Sequence, residues 1–151
     1  MTSGQIVVGV DGSAESMTAL RWAVRHAARN HATVTAVEVS HRPRLAPGTS
    51  YAIQPYGMAP PIERIRHSTR LHAAVVAARG SMRDAPPVTE LHVEGEPGVE
   101  LTHIAESAAM LVLGHSPRSR LADLILGGTA TECLRTARCP VVLVPAHTIV
   151  E

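Results

Sequence analysis

The sequence predicts an α/β protein, an open parallel sheet of five strands wound on both faces by helices, in one domain over residues 1–151. Two observations carry this. Strand-like and helix-like stretches alternate along the chain in the order βαβαβαβαβ, which argues for right-handed crossovers and a doubly wound sheet. The runs Met110-Leu111-Val112-Leu113 and Val141-Val142-Leu143-Val144 are apolar without alternation, as expected of parallel strands covered on both faces.

Each element has its own signal. Gln5–Val10 reads as the first strand, followed by an Asp11-Gly12 turn and a helix starting near Ser13 or Ala14. On that helix Ala19, Leu20, Ala23, Val24 and Ala27 recur at helical spacing, while Arg21, Arg25 and Arg29 form a separate, solvated stripe. Thr33–Val39 is a β-branched second strand. From 41 to 61 the composition shifts to five prolines, two glycines and both tyrosines, Tyr51 and Tyr56, which reads as a long connection. A helix follows from about Ile62 to Met82, with Ile65, Leu71, Val75 and Val76 expected inward. Val88–Val93 forms a third strand, Gly95-Glu96-Pro97 a loop and Gly98–Ala108 a third helix. Gly114 is expected to end the fourth strand. Gly127-Gly128-Thr129 opens a last helix through Ala137, and Pro140–Pro145 closes the series with prolines only at its ends.

Composition excludes several functions. A net charge of +1 gives no field that would attract nucleic acid or an anionic membrane. All fourteen basic residues are arginine, so a Walker A phosphate loop and Schiff-base chemistry, which need a lysine amine, are both out. No stretch approaches the roughly 20 apolar residues of a membrane span, and Met1–Gly4 lacks a basic leader, so a cytoplasmic protein is expected. Cys133 and Cys139 are then expected as reduced thiols. The nine histidines include no helical i, i+3 or i, i+4 pair, and no metal site is expected.

The stretch from Gly114 to Pro145, together with Val7-Val8-Gly9-Val10-Asp11-Gly12-Ser13 and Gly95-Glu96-Pro97, resembles the universal stress protein family. The family's pattern is Gly, two residues, Gly, nine residues, then Gly followed by Ser or Thr, and the spacing here is kept. Pro117 stands where the middle glycine is expected, and Gly128 where the hydroxyl residue is expected. The resemblance implies an adenine nucleotide alpha hydrolase-like fold with strand order 3-2-1-4-5. It also implies a homodimer through the last strand, Val141, Val142, Leu143 and Val144.

With that strand order, a ligand would bind between strands one and four, outside their carboxyl ends. The resemblance places Val10, Asp11 and Val39 at adenine and ribose, and Gly114 with the loop after it at ribose and phosphates. A branched side chain at Gly114 would then stand where the nucleotide approaches the backbone. Gly127, Gly128 and Thr129 would offer backbone N–H groups to phosphate at a helix start. His115 adjoins this loop. Arg118 and Arg120 can compensate for Pro117, which has no N–H to donate. Asp11 also has a plain turn-forming and capping role open to it.

Three functions are consistent with this reading. The first is a regulatory module that binds an adenine nucleotide, with ATP the expected ligand and magnesium only as the nucleotide's companion. The second is a dimeric interaction protein whose nucleotide site has decayed. The third is at most a slow ATPase, since the sequence names no general base.

Overall fold

The computed structural model describes residues 4–41, 61–116 and 127–151, with 61–68 described by backbone alone. Five strands and four helices alternate: β1 (Gln5–Gly9), α1 (Ala14–Asn30), β2 (Thr33–Ser40), α2 (Pro61–Arg79), β3 (Val88–Glu94), α3 (Pro97–Ile104), β4 (Met110–His115), α4 (Gly128–Thr136) and β5 (Val141–Pro145). The strands form one parallel sheet in the order β3-β2-β1-β4-β5.

Side-chain alternation along the central strands divides the core into two layers. Ile6, Val8, Val34, Ala36 and Val112 face α1 and α2, where they meet Ala19, Leu20, Ala23, Val24, Leu71 and Val75. Val7, Val37, Leu111 and Leu113 face the other way, onto Leu101 and Ala105 of the α3 region and Ala130 and Cys133 of α4. Both faces of β1 are thus buried, which explains the unbroken run Ile6-Val7-Val8. The helices α3 and α4 cross so tightly that a β-carbon on Gly98 would fall 2.5 Å from Cγ of Glu132.

The start of α1 is fixed by short-range hydrogen bonds. Ser13 is the N-cap and its hydroxyl accepts from the Ser16 N–H at 3.2 Å, while the Ser16 hydroxyl donates to the Ser13 carbonyl at 3.0 Å. The helix ends at His31 in the left-handed region, whose N–H reaches the Ala27 carbonyl.

Three expectations need correction. Gly114 does not end β4, which runs on to His115 and pairs Gly114 with Val144 and His115 with Pro145. The third helix stops at Ile104 rather than Ala108, because the Ala109 N–H is committed to the Gln5 carbonyl at 2.8 Å to start β4 beside β1. Val76 is 56% exposed, on the outer side of α2, whereas Leu71 and Val75 are buried as expected. Ile65, Tyr51, Tyr56 and residues 42–60 of the long connection give no test, since the connection and the Ile65 side chain lie outside what is described.

Candidate functional site

The carboxyl ends of β1, β2 and β4 open into a cavity of about 480 Å³, within the size range of small-ligand sites. The strand order explains the location. The chain leaves β1 toward α1 and α2 on one face, while β4 lies on the other side of β1, so the loops diverge there and leave a crevice.

Its floor is apolar, formed by Val37, Val39, Leu101 and Leu113, and its rim is polar, with Asp11, Ser13, Ser16, Ser40 and Thr129. Val10, Asp11, Val39, Gly114 and Thr129, widely spaced in sequence, thus meet at one opening. Gly127 and Gly128 stand exposed outside the lining, and apart from the adjoining chain no described residue would lie within 4 Å of a β-carbon on either. His115 continues β4 beyond the cavity. Its Nε2 is buried without a hydrogen-bond partner among the described residues. Pro117, Arg118 and Arg120 lie outside the described residues.

Asp11 closes the turn between β1 and α1. Its Oδ1 accepts from the Ser13 N–H at 2.9 Å, and its own N–H donates to the Ser16 hydroxyl at 3.3 Å. Gly12 between them has φ +85, a left-handed conformation suited to glycine. Partial burial pushes the Asp11 carboxyl up. The bonds from Ser13, from the Ser16 hydroxyl and from its own N–H outweigh that and hold it below its ordinary value of 3.8. The turn-forming role is therefore real, and Asp11 also lines the cavity.

Gly114, which lines the cavity, also has a packing role. A β-carbon there would fall 2.4 to 2.6 Å from the backbone of Glu15 and Ser16, so the space beside it is taken by the first turn of α1. The glycine lets α1 sit on the end of β4, which brings Ser13 and Ser16 to the cavity.

Sequence reading missed Ser40, His41, Pro97, Leu101 and Arg70 in the lining. Arg70 had a signal. Glu38 is a carboxylate in the otherwise apolar stretch Ala36–Val39 and is 1% exposed, so it demands a cation. Arg70 of α2 supplies it, its Nε donating to Glu38 Oε1 at 2.7 Å and its Nη2 to the same oxygen. Among the described residues no cluster of His, Cys, Asp and Glu is arranged to hold a metal ion, and no helix is long and apolar enough to cross a membrane.

A five-stranded parallel sheet in this order, with a crevice between its first and fourth strands, defines the class of doubly wound α/β proteins that bind ligands at the strand-order reversal. The model of the universal stress protein family matches residues 3–145, and the chain belongs to that family. It is 36% identical, over 92% of its length, to a universal stress protein of Mycolicibacterium smegmatis. It spans about half the length of the curated relatives it matches, 47% of that one. Among solved structures it resembles a universal stress protein in complex with cAMP, with TM-score 0.69, 20% identity, and 97% of this chain and 99% of the other covered. It also resembles the universal stress protein of Archaeoglobus fulgidus in complex with dAMP, with TM-score 0.67, 23% identity, and coverage of 95% and 99%.

Proposed function

We propose that this chain is a regulatory module that binds an adenine nucleotide, ATP in particular, in the crevice between β1 and β4. The observation that carries the reading is the meeting of Asp11, Val39, Gly114 and Thr129 around one cavity large enough for a nucleoside. The apolar floor of Val37, Val39 and Leu101 suits a purine ring, and Asp11 offers a carboxylate to ribose hydroxyls. The exposed start of α4, at Gly127, Gly128 and Thr129, has no side-chain cap among the described residues, and a helix start of this kind suits phosphates extending out of the cavity. The complexes of similar proteins with cAMP and dAMP support the ligand class. Any magnesium would arrive with the nucleotide's phosphates.

Isothermal titration with ATP and AMP tests the proposal. Saturable binding is expected, and no heat at millimolar nucleotide overturns it. That second result would favour a decayed site, in which case Pro117→Gly with Gly128→Ser should create binding.

A second part of the proposal concerns assembly. β5 is an edge of the sheet, and its Val141, Val142 and Leu143 are only partly buried. Two copies joined along this edge would cover it, and the double length of the curated relatives fits a unit of two such domains.

A further inference from the structure

We infer that Arg70 is a ligand-reading residue at the nucleoside end of the cavity and that Glu38 positions it; the inference rests on the nucleotide reading above. A carboxylate buried in a central strand is tolerated only when paired, so the Glu38 contact explains why a cation stands over β2. It does not explain the cation's other edge. With Nε and Nη2 both on Glu38 Oε1, the guanidinium plane is fixed and Nη1 projects over the turn after β1, where a β-carbon on Gly12 would come within 3.4 Å of it. The Arg70 side chain is 51% exposed and lines the cavity beside Asp11, Ser40 and His41. A permanently charged, planar donor is thus clamped at the wall of the site, with its ordering entropy already spent on Glu38.

Topology decides which part of the ligand it meets. Arg70 comes from α2, which lies with α1 over one face of the sheet and reaches β2; Thr129 comes from α4, on the opposite face and toward β5. The two stand at opposite corners of the cavity. If phosphates point to the start of α4, the guanidinium is left with the base. Its chemistry fits a purine ring, with Nη1–H donating to a ring nitrogen and the cationic plane beside the π system.

The experiment titrates adenosine, AMP and ATP into the wild type, Arg70→Gln, Arg70→Lys and the double variant Arg70→Gln with Glu38→Gln. The double variant removes both members of the Arg70–Glu38 pair, so no Glu38 carboxylate is left buried without Arg70 and the test stays open if Arg70→Gln alone fails to fold; thermal melts identify which variants are folded. The expected result is a loss of about tenfold in affinity, the same for all three ligands and not restored by lysine. A loss that grows from adenosine to ATP would make Arg70 a phosphate contact and overturn the inference, as would unchanged affinity or full rescue by lysine. Wild-type protein that binds none of the three would sink the nucleotide reading itself, and this inference with it. Glu38→Gln alone should weaken all three ligands by a common factor that Arg70→Gln does not deepen; independent, additive losses would show that Glu38 does not act through Arg70.

Discussion

Gly114, one residue before the end of β4, packs so closely on the backbone of Glu15 that no β-carbon fits between them: one placed there would fall 2.4 Å from the Glu15 carbonyl carbon. The obstacle is main chain, which cannot rotate aside as a side chain would. Gly114→Ala should therefore destabilise the fold by about 3 kcal/mol through overpacking, with any loss of ligand following from displacement of Ser13 and Ser16. Denaturant unfolding followed by the fluorescence of Trp22, the single tryptophan, which stacks on His26, measures it. A variant as stable as the wild type would contradict this contact.

Asp11 makes stability depend on acid. Its folded-state carboxyl is depressed, so its contribution is fully present above the ordinary value of 3.8 and is lost as pH falls through the lower folded value. Because the side chain is exposed, water screens the effect to below about 1 kcal/mol. Asp11→Asn should lower stability at pH 7 by a fraction of this amount, and the two proteins should converge as pH falls through the lowered folded value. A difference that persists unchanged at pH 2 would show that the carboxylate's charge is not involved.

The two cysteines should differ in reactivity. Cys133 is buried in the α3–α4 layer, and burial, with smaller effects from Glu132 and Cys139, pushes its thiol up to about 11. Cys139 is partly exposed and raised less, again chiefly by burial. A bulky thiol reagent at pH 8 should modify Cys139 first and Cys133 only on unfolding. Equal rates in the native protein would mean that α4 opens readily.

Among the described residues nothing beyond the adjoining chain lies within 4 Å of a β-carbon placed on Gly128. Gly128→Ser should fold without penalty and gain a few tenths of a kcal/mol from the lower entropy of its unfolded chain. If the start of α4 receives phosphate, the added hydroxyl should also strengthen ATP binding by a few fold. Calorimetry and thermal melts read the two effects separately.

Assembly through β5 predicts a sedimenting species of twice the 16.0 kDa chain mass at micromolar concentration. A monomer across that range would leave the partly buried Val141, Val142 and Leu143 facing solvent and would rule out the proposed edge contact.

Much of the fold was legible because its signals are local. A helix start near Ser13, the inward alanines and leucine of α1 and the unbroken apolar strands follow from local pattern alone. The misjudged boundaries are those settled by long-range bonds: α3 yields to the sheet at Ala109, and β4 continues past a glycine because β5 pairs with it. At the site, strand ends were legible through topology, which brought Asp11 and Gly114 together. Arg70 was legible only in part, since Glu38 in an apolar strand asks for a cation but only the tertiary fold sets α2 above it. Val76 failed for a related reason: helical spacing places it one step from Val75 without saying which side the sheet takes.

The interlocking of Gly98 with Glu132 has a mechanical consequence. Pro97 and Leu101 of one helix, and Thr129 and Ala130 of the other, border the same opening, and the two helices have no slack between them. A displacement of the amino end of α4 would therefore press directly on α3, so the two helices would have to shift together.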